Sequence, residues 1–151
     1  MPHLYFTDTY TRPVVVSVDQ AVGPGCPNRR VDVLLVQFLL RVVDQTPGRN
    51  TWIQTRRGKP LVIDGRFGDI TASYIELFQR QFPKYPLAKD GRVDPFSNGS
   101  WWGARTGVFM TMAAIDMAYM EAQGNDGILT IPHHGWFPRE LRPMMQISIP
   151  V

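Results

Sequence analysis

The chain has 151 residues, 44% of them hydrophobic and 11% aromatic, and a net charge of +3. That length suits one domain able to bury about 68–70% of its unfolded surface, and the composition excludes a disordered or collagen-like chain. A single cysteine, Cys26, rules out an intramolecular disulfide, and basic residues scattered in pairs (Arg29-Arg30, Arg56-Arg57) leave no footprint for nucleic acid, only weak attraction to polyanions such as cell-wall polymers.

The N-terminal stretch MPHLYFTDTYTRP lacks a basic region followed by an apolar one, so no secretory signal is expected. Pro13 to Val18 is rich in β-branched residues and predicts a short strand. The turn-dense VGPGCPN follows, and Asn28 is expected to cap a helix over Val31 to Val43. Val31, Leu34, Leu35, Phe38, Leu39 and Val42 form one helical face, while Val33, Val36, Leu40 and Val43 fill most of the other. A helix apolar nearly all round is a central one, covered on both sides. At 13 residues, with Asp32, Gln37 and Arg41 inside it, this run is too short and too polar to span a membrane.

Asp44 to Leu61 reads as a long polar connection. Asp69 is expected to cap a second helix running to about Gln81, with Ile70, Tyr74, Ile75, Phe78 and Phe82 at helical spacing and Pro83 as its stop. A third helix is predicted from about Arg105 to Gln123, ending at Gly124. Ile128 to Ile131 and Met145 to Ile149 predict strands, and the two terminal segments are expected to pair. The fold class is therefore mainly α, three helices with a small β addition from the termini. Residues 1–21 form a strand extension, 22–123 the helical domain, and 124–151 an extended segment packed on it.

VIDGRFGDIT, Val62 to Thr71, and its echo KDGRVDP, Lys89 to Pro95, pose the central question. A phosphate loop needs a lysine after its glycines and a buried strand before them, and neither is present. A calcium loop starting at Asp64 fails because its third and fifth positions are Arg66 and Gly68. An Asp-Gly pair instead supplies a tight turn with positive φ at glycine, its aspartate bonding the turn's own amides. The device is repeated before the second and third helices.

These elements resemble the peptidoglycan-binding domain, a three-helix cell-wall module with an LQxxL helix, a DGxFGxxTxxAVxxFQ segment and a second DGxVG turn. Val36-Gln37-Phe38-Leu39-Leu40 takes the first place. Asp64-Gly65, Phe67-Gly68, Thr71 and Phe78-Gln79 match the second, and Asp90-Gly91 with Val93 the third. The likeness spans about Val22 to Gln123. The chain departs from the pattern in its longer Asp44–Leu61 connection, in Asp94-Pro95 where glycine is common, and in the insertion Ser97 to Gly107.

The resemblance implies a three-helix bundle that binds the glycan or stem peptide of peptidoglycan without catalysis or cofactor. Candidate ligand-binding residues are Arg66 and Arg92, which take the same place in the two turns and suit a carboxylate. Trp101 and Trp102 in the insertion offer a sugar platform, and Tyr74 would line a groove. Each has a plainer role as turn or core residue. Without a secretory signal, such a module would be made in the cytoplasm and act in the periplasm or at the wall after export by a contractile injection system or a phage.

Two other readings stay open. A small wall hydrolase or toxin would draw on His133, His134 and Glu140, although adjacent histidines rarely aim at one ion and the only other histidine is His3. Glu76, Asp90 and Asp94 are not singled out as a carboxylate pair, and Cys26 lacks the flanking signature of a nucleophile. An adaptor for a secreted protein would use the edge of the terminal strands.

Overall fold

The computed structural model describes residues 3–6, 14–45, 61–96, 107–124 and 130–148. Three α-helices dominate them: α1 Arg30–Gln45, α2 Asp69–Gln81 and α3 Thr111–Gln123. Strands β1 (His3–Phe6), β2 (Val14–Ser17) and β3 (Gln146–Ser148) form one sheet in the order β2-β1-β3. Among the described residues, no helix is long and apolar enough to cross a membrane.

Helix α1 is buried without interruption from Asp32 to Leu40, the central position its all-round apolar pattern demands. It packs against α3, α2 and the 3-10 turn Arg139–Met144. Phe38 sits at the hub, with rings of Tyr119 at 5.8 Å and Phe137 at 5.1 Å, the latter at right angles. Helix α3 is buried all round as well, because β2 packs on it in addition to α1. Val16 and Val18 join Ile115 and Met112 in one core, and Ile131, Phe137 and Leu141 of the C-terminal segment complete it.

Several details depart from the sequence expectations. Asn28 does not cap α1: with φ of 47° its side chain turns back to bond both the N–H and the C=O of Gly23, at 2.8 and 2.9 Å. The polar group inside the first turn of α1 is Asp32, whose two carboxylate oxygens accept from the amides of Asp19 and Gln20 at 2.8 and 3.1 Å. Asp69 begins α2 rather than capping it, Gly68 being the cap residue. Phe82 closes α2 with extended backbone, as a residue before proline must.

Helix α3 starts at Thr111, later than Arg105, because Phe109 bridges Leu87 in parallel and its amide donates to Pro86 O at 2.9 Å. Gly124 ends α3 with φ of 92°, as its sequence position predicts. Of the strand expected over Ile128 to Ile131, Ile128 and Leu129 lie outside the described residues, and Ile131 opens the 3-10 turn Ile131–His133, where Pro132 has no amide to give a ladder. The two terminal segments pair as expected, but through β1: the strands β2 and β3 do not pair with each other directly. β1 lies between them, antiparallel to β2 (Leu4 opposite Val16) and parallel to β3 (Leu4 opposite Ile147).

Candidate functional site

The two Asp-Gly-Arg turns are built alike, and a glutamine from the preceding helix holds each. Gln37, on α1, accepts the amides of Asp64 and Gly65 at 3.0 and 2.9 Å through Oε1. Its Nε2 donates to Asp64 Oδ1, Arg66 O and Thr71 Oγ1 at 3.1, 3.0 and 2.9 Å. Gln79, on α2, accepts the Gly91 amide at 2.8 Å and donates to Asp90 Oδ1, Arg92 O and Thr111 Oγ1 at 3.1, 3.0 and 3.1 Å. The glycines have φ of 76° and 73°, the conformation that favours glycine.

Each latch ties three pieces together: one helix, a turn, and a threonine in the first turn of the next helix. Both glutamines are almost fully buried, so these bonds are made away from water, where an unmade bond costs most. The turn aspartates behave as the sequence predicts, each accepting through Oδ1 the amide two residues on, at 2.9 Å. The Arg66 amide, followed by Gln37 and the Arg66 charge, holds the Asp64 carboxyl below its ordinary range against a smaller desolvation effect.

The surroundings of the turns differ. Arg30 lies over Gly65, and its Nη1 donates to Asp64 O at 2.7 Å. Its Nε and Nη2 hold Glu140 at 3.2 and 2.9 Å, and this bond lowers the Glu140 carboxyl. The first turn is thereby closed by the chain's own C-terminal segment. The second turn is clamped on one side, where Val22 and Val93 exchange amide bonds at 3.0 and 2.8 Å. On another side it opens into a groove of about 360 Å³ lined by Glu76, Gln79, Arg80, Lys89, Asp90 and Gly91.

The expected site residues separate accordingly. Arg66 and Arg92 are exposed on the two turns, Arg92 with Asp94 at 2.9 Å. Tyr74 is fully buried in the core, so it presents no surface to a ligand and does not line a groove. Trp101 and Trp102 lie outside the described residues.

Of the C-terminal trio, Glu140 is engaged by Arg30, and His134 packs its ring 5.3 Å from Phe38 while its Nδ1 accepts the Trp136 amide at 3.0 Å. Among the described residues, no group of three His, Cys, Asp or Glu side chains has the arrangement to hold a metal ion. Sequence reasoning missed the groove-lining Glu76, Arg80 and Lys89 as a set, because nothing local marks residues that only folding gathers. It also missed Trp136, about half exposed with the Arg41 guanidinium 5.3 Å from its ring centroid; nothing local separates it from the adjacent Phe137, which is buried in the core.

The chain matches no family model, no curated protein and no solved structure.

Proposed function

We propose that this protein is a non-catalytic peptidoglycan-binding module, delivered to the cell wall by a contractile injection system or a phage. The observation that carries the reading is the doubled latch. Gln37 with Asp64-Gly65 and Thr71, and Gln79 with Asp90-Gly91, are positions on which the resemblance to the cell-wall module rests, and each is a working part of the fold. That these residues meet in two similar bond networks supports the reading.

The exposed groove beside the second turn is the surface such a module would offer. It is shallow and polar, so few contacts are preorganised and affinity should be modest. Co-sedimentation with purified sacculi tests the reading. Retention in the pellet at low salt is expected, and full recovery in the supernatant would sink it.

A further inference from the structure

The groove beside the second turn has an unusual charge pattern for so small a surface. Of its six lining residues, Arg80 and Lys89 are cationic and Glu76 and Asp90 anionic. Its floor is fixed: Gln79 is 3% exposed, and its bonds to Gly91, Asp90, Arg92 and Thr111 leave the turn no freedom to shift. Asp90 makes both of its bonds within the turn through one oxygen, Oδ1. Arg80 and Glu76 approach only to 3.9 Å, both more than half exposed, a contact too loose to neutralise either group.

Among the described residues, no aromatic side chain lines the groove. The exposed ring of Trp136 belongs to the C-terminal segment that covers α1, where it neighbours Arg41 and His134. Its described lining therefore offers no apolar platform on which a sugar face stacks. A lone carboxylate entering it meets Glu76 and Asp90, and a lone ammonium meets Arg80 and Lys89. A ligand bearing both charges close together answers all four.

We infer that the groove binds a zwitterion, an ammonium and a carboxylate on one carbon, set between Glu76 and Arg80 of α2 and Lys89 and Asp90 of the turn. Resting on the cell-wall reading, the ligand is the free end of the diamino acid in an uncross-linked stem peptide. The glycan is not what the groove holds. Binding of this kind counts open, uncross-linked peptides and ignores those whose ammonium is consumed in a cross-link.

The test is titration calorimetry of the full chain with the stem tripeptide ending in meso-diaminopimelate. The same peptide is compared with its side-chain ammonium acetylated and with its side-chain carboxylate amidated. Glycan strands stripped of peptide form the fourth arm and intact sacculi the fifth. The inference expects the unmodified tripeptide to bind, either modification to weaken it about tenfold or more, and stripped strands not to bind. Lys89→Ala and Glu76→Gln should each weaken it about tenfold or more while leaving the thermal midpoint unchanged, since both side chains are exposed.

Equal binding of the modified peptides, or binding to stripped strands alone, overturns the inference. Sacculi retained through the glycan would keep the cell-wall reading and end the zwitterion one. Charge-dependent tripeptide binding without retention on sacculi would do the reverse. Failure of every arm would end both.

Discussion

Gln37 and Gln79 donate the same three bonds to two different turns, Nε2 reaching Thr71 Oγ1 at 2.9 Å in one and Thr111 Oγ1 at 3.1 Å in the other. The helices are thereby chained, α1 to α2 and α2 to α3, by one device used twice. The bonds matter because they are buried: removing the amide leaves turn N–H groups without a partner, at about 1–3 kcal/mol each. Gln37→Ala is expected to cost about 3 kcal/mol in urea unfolding, and Gln79→Ala somewhat less, because Gln37 also accepts the Asp64 amide. Gln37→Met fills the same volume without the bonds. If it restored wild-type stability, packing rather than bonding would explain the latch.

The two turn glycines should respond differently to alanine. Both have positive φ, so each substitution costs about 1–2 kcal/mol for the left-handed backbone. A Cβ on Gly65 would also stand 2.8 Å from Arg30 Cγ, whereas one on Gly91 would meet Pro24 Cδ at an ordinary 3.5 Å. Gly65→Ala must therefore displace Arg30 and its pairing with Glu140, a solvent-exposed ion pair that contributes little by itself. Gly65→Ala should be the more damaging of the two, and Arg30→Ala should shrink the difference in a double-mutant cycle. Additive effects of Gly65→Ala and Arg30→Ala would mean that the guanidinium gives no resistance.

How much of this was legible in the sequence follows from the range of the forces involved. The three helices announce themselves through periodicity, and the turns through Asp-Gly chemistry, because both are local. The extra turn expected on α3 was lost to a contact between Phe109 and Leu87, which no window around Phe109 contains. Strand β1 escaped notice because HLYF is short and its partners lie at both ends of the chain. Tyr74 was ambiguous for a related reason: an aromatic at helical spacing suits a groove or a core, and only the neighbours of α2 decide. Gln37 and Gln79 stood out through the resemblance, while their chemistry became plain only once the turns were folded against them.

Acid should act on the first turn through Asp64. Its carboxyl is held below the ordinary range chiefly by the Arg66 amide, so the unfolded chain takes up a proton there before the folded one does. The stability this group contributes is present above about pH 4 and is lost as pH falls through the folded value. Asp64→Asn should flatten the fall of the stability profile below about pH 4, measured by urea unfolding. An unchanged slope would assign acid sensitivity elsewhere, with the Arg30-bound Glu140 the next group to examine.

Asp116 should act in the opposite sense. It is fully buried in the middle of α3, and neither carboxyl oxygen makes a hydrogen bond of normal geometry. Burial pushes its carboxyl well above the ordinary range, countered only by the nearby backbone amide of Val16 on β2. The folded protein therefore holds a proton that the unfolded chain gives up at about pH 4. Unfolding releases that proton, so stability falls as pH rises from about 4 until the folded carboxyl itself ionises, at about 1.4 kcal/mol per pH unit. Asp116→Asn has the same shape and cannot ionise. Urea unfolding at pH 4, 6 and 8 should find the variant within about 1 kcal/mol of the wild type at the lowest value and more stable than it at the highest. Parallel profiles for the two proteins would mean that Asp116 is already ionised in the fold, with a partner supplying what the Val16 amide does not.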